Sequence, residues 1–235
     1  MALLKPRAIV ALDVPDAARA AALTARLGHG CDFVKVGLEL FTAEGPAVVR
    51  AMRGEGRDVF LDLKLHDIPN TVRAAARRAA DTGAALVTVH ASGGSAMLEA
   101  AVEGAGTRCG VLAVTVLTSL DRVTLGEAWG REVIDVGDEV LRLAGLARAA
   151  GAHGVVCSGA EAGVVSEAFG EGLAILVPGI RRAGGATHDQ ARVVTPGQAV
   201  VSGARYLVLG RAVTEARDPG AELRSIREEM ADAVG

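Results

Sequence analysis

Residues 59–71 read VFLDLKLHDIPNT, an apolar run that carries Asp62, Lys64, His66 and Asp67 within six positions and passes into a segment suited to start a helix near Asn70. In a strand, side chains two apart share a face, so Asp62 and Lys64 are expected on the same side of a sheet. Two opposite charges side by side on an apolar strand admit two readings. One is a structural ion pair, and the other is a catalytic pair at the mouth of a barrel. The flanking chain has to decide between them.

On both sides of this stretch, short β-type runs alternate with helical ones. Strands are expected over 8–12, 33–37, 59–63, 85–89, 111–116, 154–157, 173–177 and 206–209. The first helix should begin near Asp16, a suitable N-cap, and end at Gly28. Further helices are expected over 42–52, from Asn70 to Gly83, over 95–102, up to about Ala150 after an excursion at 117–130, and over 161–169, 197–201 and 221–234. Eight β-α units in one chain of 235 residues are the pattern of a (β/α)8 TIM barrel, expected as a single domain over 1–235. A doubly wound open sheet usually needs fewer strands, and no G-x-G-x-x-G turn follows the first one.

Composition narrows the function. Aromatic residues make up only 3% of the chain, which argues against stacking platforms for single-stranded nucleic acid. A net charge of -3 argues against a general nucleic-acid or anionic-membrane surface. Cys31, Cys109 and Cys157 are far apart and odd in number, so neither a zinc site nor a disulfide framework is suggested, and a cytoplasmic protein is expected. The N-terminal residues MALLKPRAIVALDVP lack the long apolar stretch of a signal peptide, and no run approaches the roughly 18 apolar residues of a membrane span.

In such a barrel the chemistry sits at the C-terminal ends of the strands. Asp13, Lys35, Asp62, Lys64, Asp67, His90, Thr118, Ser119, Arg181, Gly210 and Arg211 all fall there. That many charges at one rim are hard to explain by stability alone. A phosphate site is expected from the loops after the last two strands: Gly210 allows close backbone approach, Arg211 offers a fork of donors, and the Gly-rich connection 178–196 adds Arg181 and Gln190. Residues 183–186 are the expected mobile loop of that connection. His66 is expected to hydrogen-bond rather than bind metal, and His90 has no companions at ligand spacing. Arg73, Arg77 and Arg78 are read as a solvated helix face, and Cys157 as packing.

The run DLKLHDIPNT at 62–71 resembles the signature of the orotidine 5'-phosphate decarboxylase family. The likeness extends to ALD at 11–13, VKVG at 34–37, LTS at 117–119, VPGIR at 177–181, Gln190, TP at 195–196 and LGRAVTEARDP at 209–219. The resemblance implies decarboxylation of orotidine 5'-phosphate to UMP and carbon dioxide, the last step of UMP synthesis, with no cofactor and no metal. It implies a homodimer in which Asp67 and Thr71 serve the partner's site. Lys35, Asp62, Lys64 and Asp67 match the family's charged network, with Lys64 the general acid that protonates C6 and Asp62 facing the substrate carboxylate. Asp13 and Lys35 match groups that hold the ribose hydroxyls, and Thr118 a contact to the pyrimidine. Arg181, Gln190, Gly210 and Arg211 match the far side of the site and the phosphate grip.

Leu65 stands where the family commonly has an aromatic and Ala212 where it commonly has proline; neither touches a charged role. Two alternatives remain. Relatives with the same D-x-K-x-x-D strand use magnesium and an enediolate, but place a carboxylate where this chain has Lys35. A catalytically silent nucleotide-binding barrel would not need the full set of charges.

Overall fold

The computed structural model describes residues 5–181 and 194–234. Eight parallel strands close into a barrel in chain order, as expected for a (β/α)8 fold. The first half runs β1 (Arg7–Ala11), α1 (Ala17–Leu27), β2 (Phe33–Val36), α2 (Leu38–Glu44), α3 (Pro46–Gly54), β3 (Asp58–Leu65), α4 (Pro69–Asp81), β4 (Leu86–His90) and α5 (Ser95–Ala105). The second half runs β5 (Gly110–Val114), α6 (Arg122–Trp129), α7 (Val136–Ala149), β6 (Gly154–Val156), α8 (Gly159–Phe169), β7 (Ala174–Val177), α9 (Pro196–Val201), β8 (Tyr206–Leu209), α10 (Arg211–Thr214) and α11 (Pro219–Asp232).

The two-residue period of the strands divides the core into two layers. Ile9, Ala11, Phe33, Phe60, Leu86, Leu112, Leu176, Tyr206 and Val208 fill the barrel interior. The alternate residues, among them Val10, Val34, Val59, Leu61, Val87, Val111, Val155 and Leu207, pack outward in one cluster with the helices. Both faces of every strand are therefore covered, which is why the strands read as nearly continuous apolar runs. Continuing the inward parity by two residues from Phe33, Phe60 and Leu86 gives Lys35, Asp62 and Thr88, one step nearer the C-terminal mouth.

Asp16 caps α1 as expected, accepting a hydrogen bond from the Arg19 amide at 2.8 Å, and Gly28 closes it at φ 69. Several boundaries differ from expectation for local reasons. The single helix expected over 42–52 is two helices, because Gly45 turns the chain at φ 61 and Pro46 starts a new first turn. The excursion at 117–130 holds α6, whose start is fixed by a reciprocal cap between Asp121 and Thr124. At Gly154 a Cβ would stand 2.1 Å from the Ala174 carbonyl oxygen, so only glycine lets β6 approach β7 this closely. Among the described residues, no helix is long and apolar enough to cross a membrane.

Candidate active site

The strand carrying Asp62 and Lys64 is longer than expected, and it is irregular. Phe60 pairs with Leu86 and Leu61 with Val87, but the next pairing joins Leu65 to Val89, so four steps on β3 match two on β4. Extra residues in one strand bend it and leave ladder groups unpaired. Lys64 sits at this bulge with φ 51, the one non-glycine residue with positive φ among the described residues. A left-handed backbone at a residue with a Cβ costs about 1–2 kcal/mol. At this irregular point the Lys64 ammonium lies against Asp62.

Lys64 Nζ donates to both oxygens of the Asp62 carboxylate, at 2.8 and 2.9 Å. Lys35, on β2, is buried, and its Nζ donates to Asp13 Oδ1 at 2.6 Å and lies 3.9 Å from Asp62 Oδ2. Asp13, Lys35, Asp62 and Lys64 thus form a chain of alternating charge across three strand ends. Gly37 keeps that chain intact, because a Cβ there would meet Lys35 Nζ at 2.8 Å and Asp13 Oδ1 at 3.2 Å.

These four side chains line one wall of a cavity of about 300 Å³ at the C-terminal end of the barrel. Thr118, Arg181, Gly210 and Arg211 line the same cavity. Arg181 is buried and donates to its neighbour's carbonyl, Ile180 O, at 2.8 Å, while its Nε has no hydrogen-bond partner among the described residues. Burial, and after it the like charge of Arg211, hold the Arg181 guanidinium below the ordinary arginine value. A buried donor without a partner beside a second arginine favours an anion between or over them. Gly210 has nothing within 4 Å of where a Cβ would stand, so backbone is open to a ligand there. The structure accordingly brings together eight of the expected residues, with the alternating charges on one wall and the two arginines on the wall formed by the last two strand ends.

Two expected residues stand outside this cavity. Asp67 and Thr71 are exposed and line no part of it; the Asp67 carboxylate accepts a hydrogen bond from the Ile68 amide at 2.6 Å. Gln190 and the expected mobile loop at 183–186 lie outside the described residues. The His66 ring packs against that of His90, with centroids 5.4 Å apart. Burial, then His66, then Lys64 hold the His90 imidazole below its ordinary value. All three cysteines are buried, and burial pushes the Cys109 thiol up to about 12, in keeping with packing roles.

Thr88 belongs to the site although charge and motif do not mark it in the sequence. It is fully buried on β4; its hydroxyl donates to Asp62 Oδ1 at 3.0 Å and accepts from the Lys64 amide at 2.9 Å. The sequence does carry a signal for it, since Thr88 follows the inward-facing Leu86 by two positions.

A family model described as Orotidine 5'-phosphate decarboxylase / HUMPS family matches residues 6–226. An orotidine 5'-phosphate decarboxylase from Anaeromyxobacter sp. (strain K) is 54% identical over 228 residues, covering 95% of this chain and 98% of that protein. The corresponding protein of Halorhodospira halophila (strain DSM 244 / SL1) is 50% identical over 234 residues, 97% of each. Among solved structures, orotidine 5'-phosphate decarboxylase from Lactobacillus acidophilus superimposes with a TM-score of 0.86 at 36% identity, covering 96% of this chain and 99% of that one.

Proposed function

The chain belongs to the Orotidine 5'-phosphate decarboxylase / HUMPS family, and from that premise we propose that it converts orotidine 5'-phosphate to UMP and carbon dioxide without metal or cofactor, with Lys64 delivering the proton to C6. The observation that carries this reading is the alternating chain Asp13, Lys35, Asp62, Lys64 at one wall of the cavity. Both carboxylates at the mouth are met by ammonium groups rather than left as a ligand set. Lys35 also stands where the magnesium-using relatives carry a carboxylate. All 235 residues are read as one decarboxylase domain of a cytoplasmic protein.

Loss of carbon dioxide leaves an electron pair in an in-plane orbital at C6, with no carbonyl placed as an electron sink. A fixed cation beside that carbon stabilises the developing charge, and the same group then supplies the proton. Lys64 has the geometry for both tasks, being anchored from one side by Asp62 and open to the cavity on the other. Asp62 in turn faces the substrate carboxylate. Two such charges 4 Å apart repel by about 4 kcal/mol at an effective dielectric constant of 20, and the repulsion is relieved as carbon dioxide departs.

Binding energy at the remote phosphate offsets that unfavourable approach. Arg181 and Arg211 suit the phosphate grip, with Gln190 assigned to it from the family pattern; Asp13 and Lys35 hold the ribose hydroxyls, and Thr118 contacts the pyrimidine. Asp67 and Thr71 are assigned to the site of a second copy. Their exposure, and that of Ile68 between them at 66%, support a homodimer in which this rim is covered.

In deuterium oxide, turnover of orotidine 5'-phosphate is expected to release UMP carrying one deuterium at C6, read by mass spectrometry. Recovery of unchanged orotidine 5'-phosphate from folded protein would overturn the assignment.

A further inference from the structure

We propose that Thr88 is a positioning residue of the decarboxylation site, holding Lys64 and Asp62 in their reactive arrangement through its single hydroxyl. The inference rests on the roles proposed above for those two residues. A hydroxyl has one proton to give and lone pairs to accept with, and here both capacities are used on the catalytic strand. The proton goes to Asp62 Oδ1 at 3.0 Å, and a lone pair receives the Lys64 amide at 2.9 Å.

The need for such a residue follows from the bulge. Between the Leu61–Val87 and Leu65–Val89 pairings the β3–β4 ladder is interrupted. Asp58 donates toward β2 and the Val59 carbonyl accepts from β4, so in a regular strand the even-numbered amides of β3 would face β2, and it is at the interruption that the Lys64 N–H meets β4. Thr88 is the β4 residue between those two pairings, and its side-chain oxygen, not a backbone carbonyl, accepts that amide. That bond is made by the amide of the residue with φ 51 itself, the same residue whose ammonium meets Asp62. A left-handed lysine persists only where its surroundings over-determine it.

The second bond fixes the carboxylate plane. Asp62 Oδ1 receives Lys64 Nζ and the Thr88 hydroxyl, while Oδ2 receives Lys64 Nζ and faces Lys35 Nζ at 3.9 Å. Without the Thr88 bond the carboxylate is free to rotate toward its ammonium partners and away from the position facing the substrate. Thr88 itself is wholly inaccessible, so it acts through its two partners and not by touching the substrate.

Thr88→Val keeps the shape and removes the hydroxyl, whereas Thr88→Ser keeps the hydroxyl and removes a methyl. The valine variant is expected to lose roughly 100-fold in kcat with KM within about threefold, the scale expected when a reacting group is displaced by about 1 Å. The serine variant is expected to stay within about fivefold of the parent. Equal losses in both variants, or a valine variant with unchanged kcat and only lowered stability to urea, would overturn the positioning role. If Thr88→Val does not fold, Thr88→Ala against Thr88→Ser isolates the hydroxyl in the same way. Failure of both hydroxyl-free variants to fold, beside an active serine variant, would assign Thr88 to stability alone and overturn the proposal.

A crystal structure of the hydroxyl-free variant separates this inference from the functional one. Loss of the positive φ at Lys64 and of its contact with Asp62 is expected, whatever the parent chain turns over; an unchanged Lys64–Asp62 geometry would refute the positioning role. Absence of decarboxylation by the parent chain would refute the proposed function instead.

Discussion

Lys64→Ala is expected to abolish decarboxylation while leaving a folded protein that still binds UMP. In the proposed mechanism, removing the ammonium removes two contributions at once, the cation beside the developing charge at C6 and the proton that ends the reaction. General acid catalysis is worth roughly 10²- to 10⁴-fold and a fixed charge-stabilising donor roughly 10²- to 10³-fold, so a fall in kcat on the order of 10⁵ is expected. The fold should survive, because the Lys64 side chain is 31% exposed at the barrel mouth and its truncation opens no cavity in the core. Asp62 would keep the Thr88 hydroxyl and the nearby Lys35. UMP needs no proton donor, and the proposed phosphate and ribose contacts are untouched, so its affinity measured by calorimetry should stay within about tenfold. Residual turnover within about 100-fold of the parent would refute the role given to Lys64.

Mixing Lys64→Ala with Asp67→Ala chains, each inactive alone, is expected to restore activity. If Asp67 serves the neighbouring site, a mixed dimer has one doubly damaged site and one site with both Lys64 and Asp67 present. Random reassortment of equal amounts makes half of the dimers mixed, so roughly a quarter of the parent activity should return. The expectation rests on Asp67 and Thr71 being exposed and lining no part of their own chain's cavity. Mixed dimers shown to form, by mass spectrometry of tagged chains, without any return of activity would place Asp67 in its own chain's site or outside the chemistry.

Much of this site is legible in the amino-acid sequence because strand parity is a strong constraint. Lys35 and Asp62 follow inward-facing apolar residues by two, and a charge at such a position must face the barrel mouth. The arginines are legible for a different reason, since the ends of the last two strands lie side by side in a closed barrel and Arg181 and Arg211 each follow one. Parity alone does not foresee the bulge between Leu61 and Leu65, which is a property of how two strands pair and not of either one. The left-handed Lys64 is invisible in sequence for the same reason, since nothing in a lysine signals positive φ.

Thr88 is hidden because charge is what stands out at the strand ends, and it has none. A threonine inside LVTVH reads as an ordinary β-branched strand residue until its hydroxyl is seen spanning Asp62 and Lys64. The roles proposed for Asp67 and Thr71 would depend on a second copy, which the geometry of one chain does not contain. Helix ends are the least legible feature, as at Gly45 and Pro46, where one turn residue divides a continuous apolar pattern into two helices.

The proposed reaction is a decarboxylation driven by fixed lysine and aspartate charges and not by a metal ion. It is tested most directly by following loss of orotidine 5'-phosphate spectrophotometrically with the purified protein in excess EDTA, and again with magnesium added. Equal turnover to UMP in both conditions is the predicted result. Turnover that requires magnesium, or turnover only of a sugar phosphate handled through an enediolate, would contradict it.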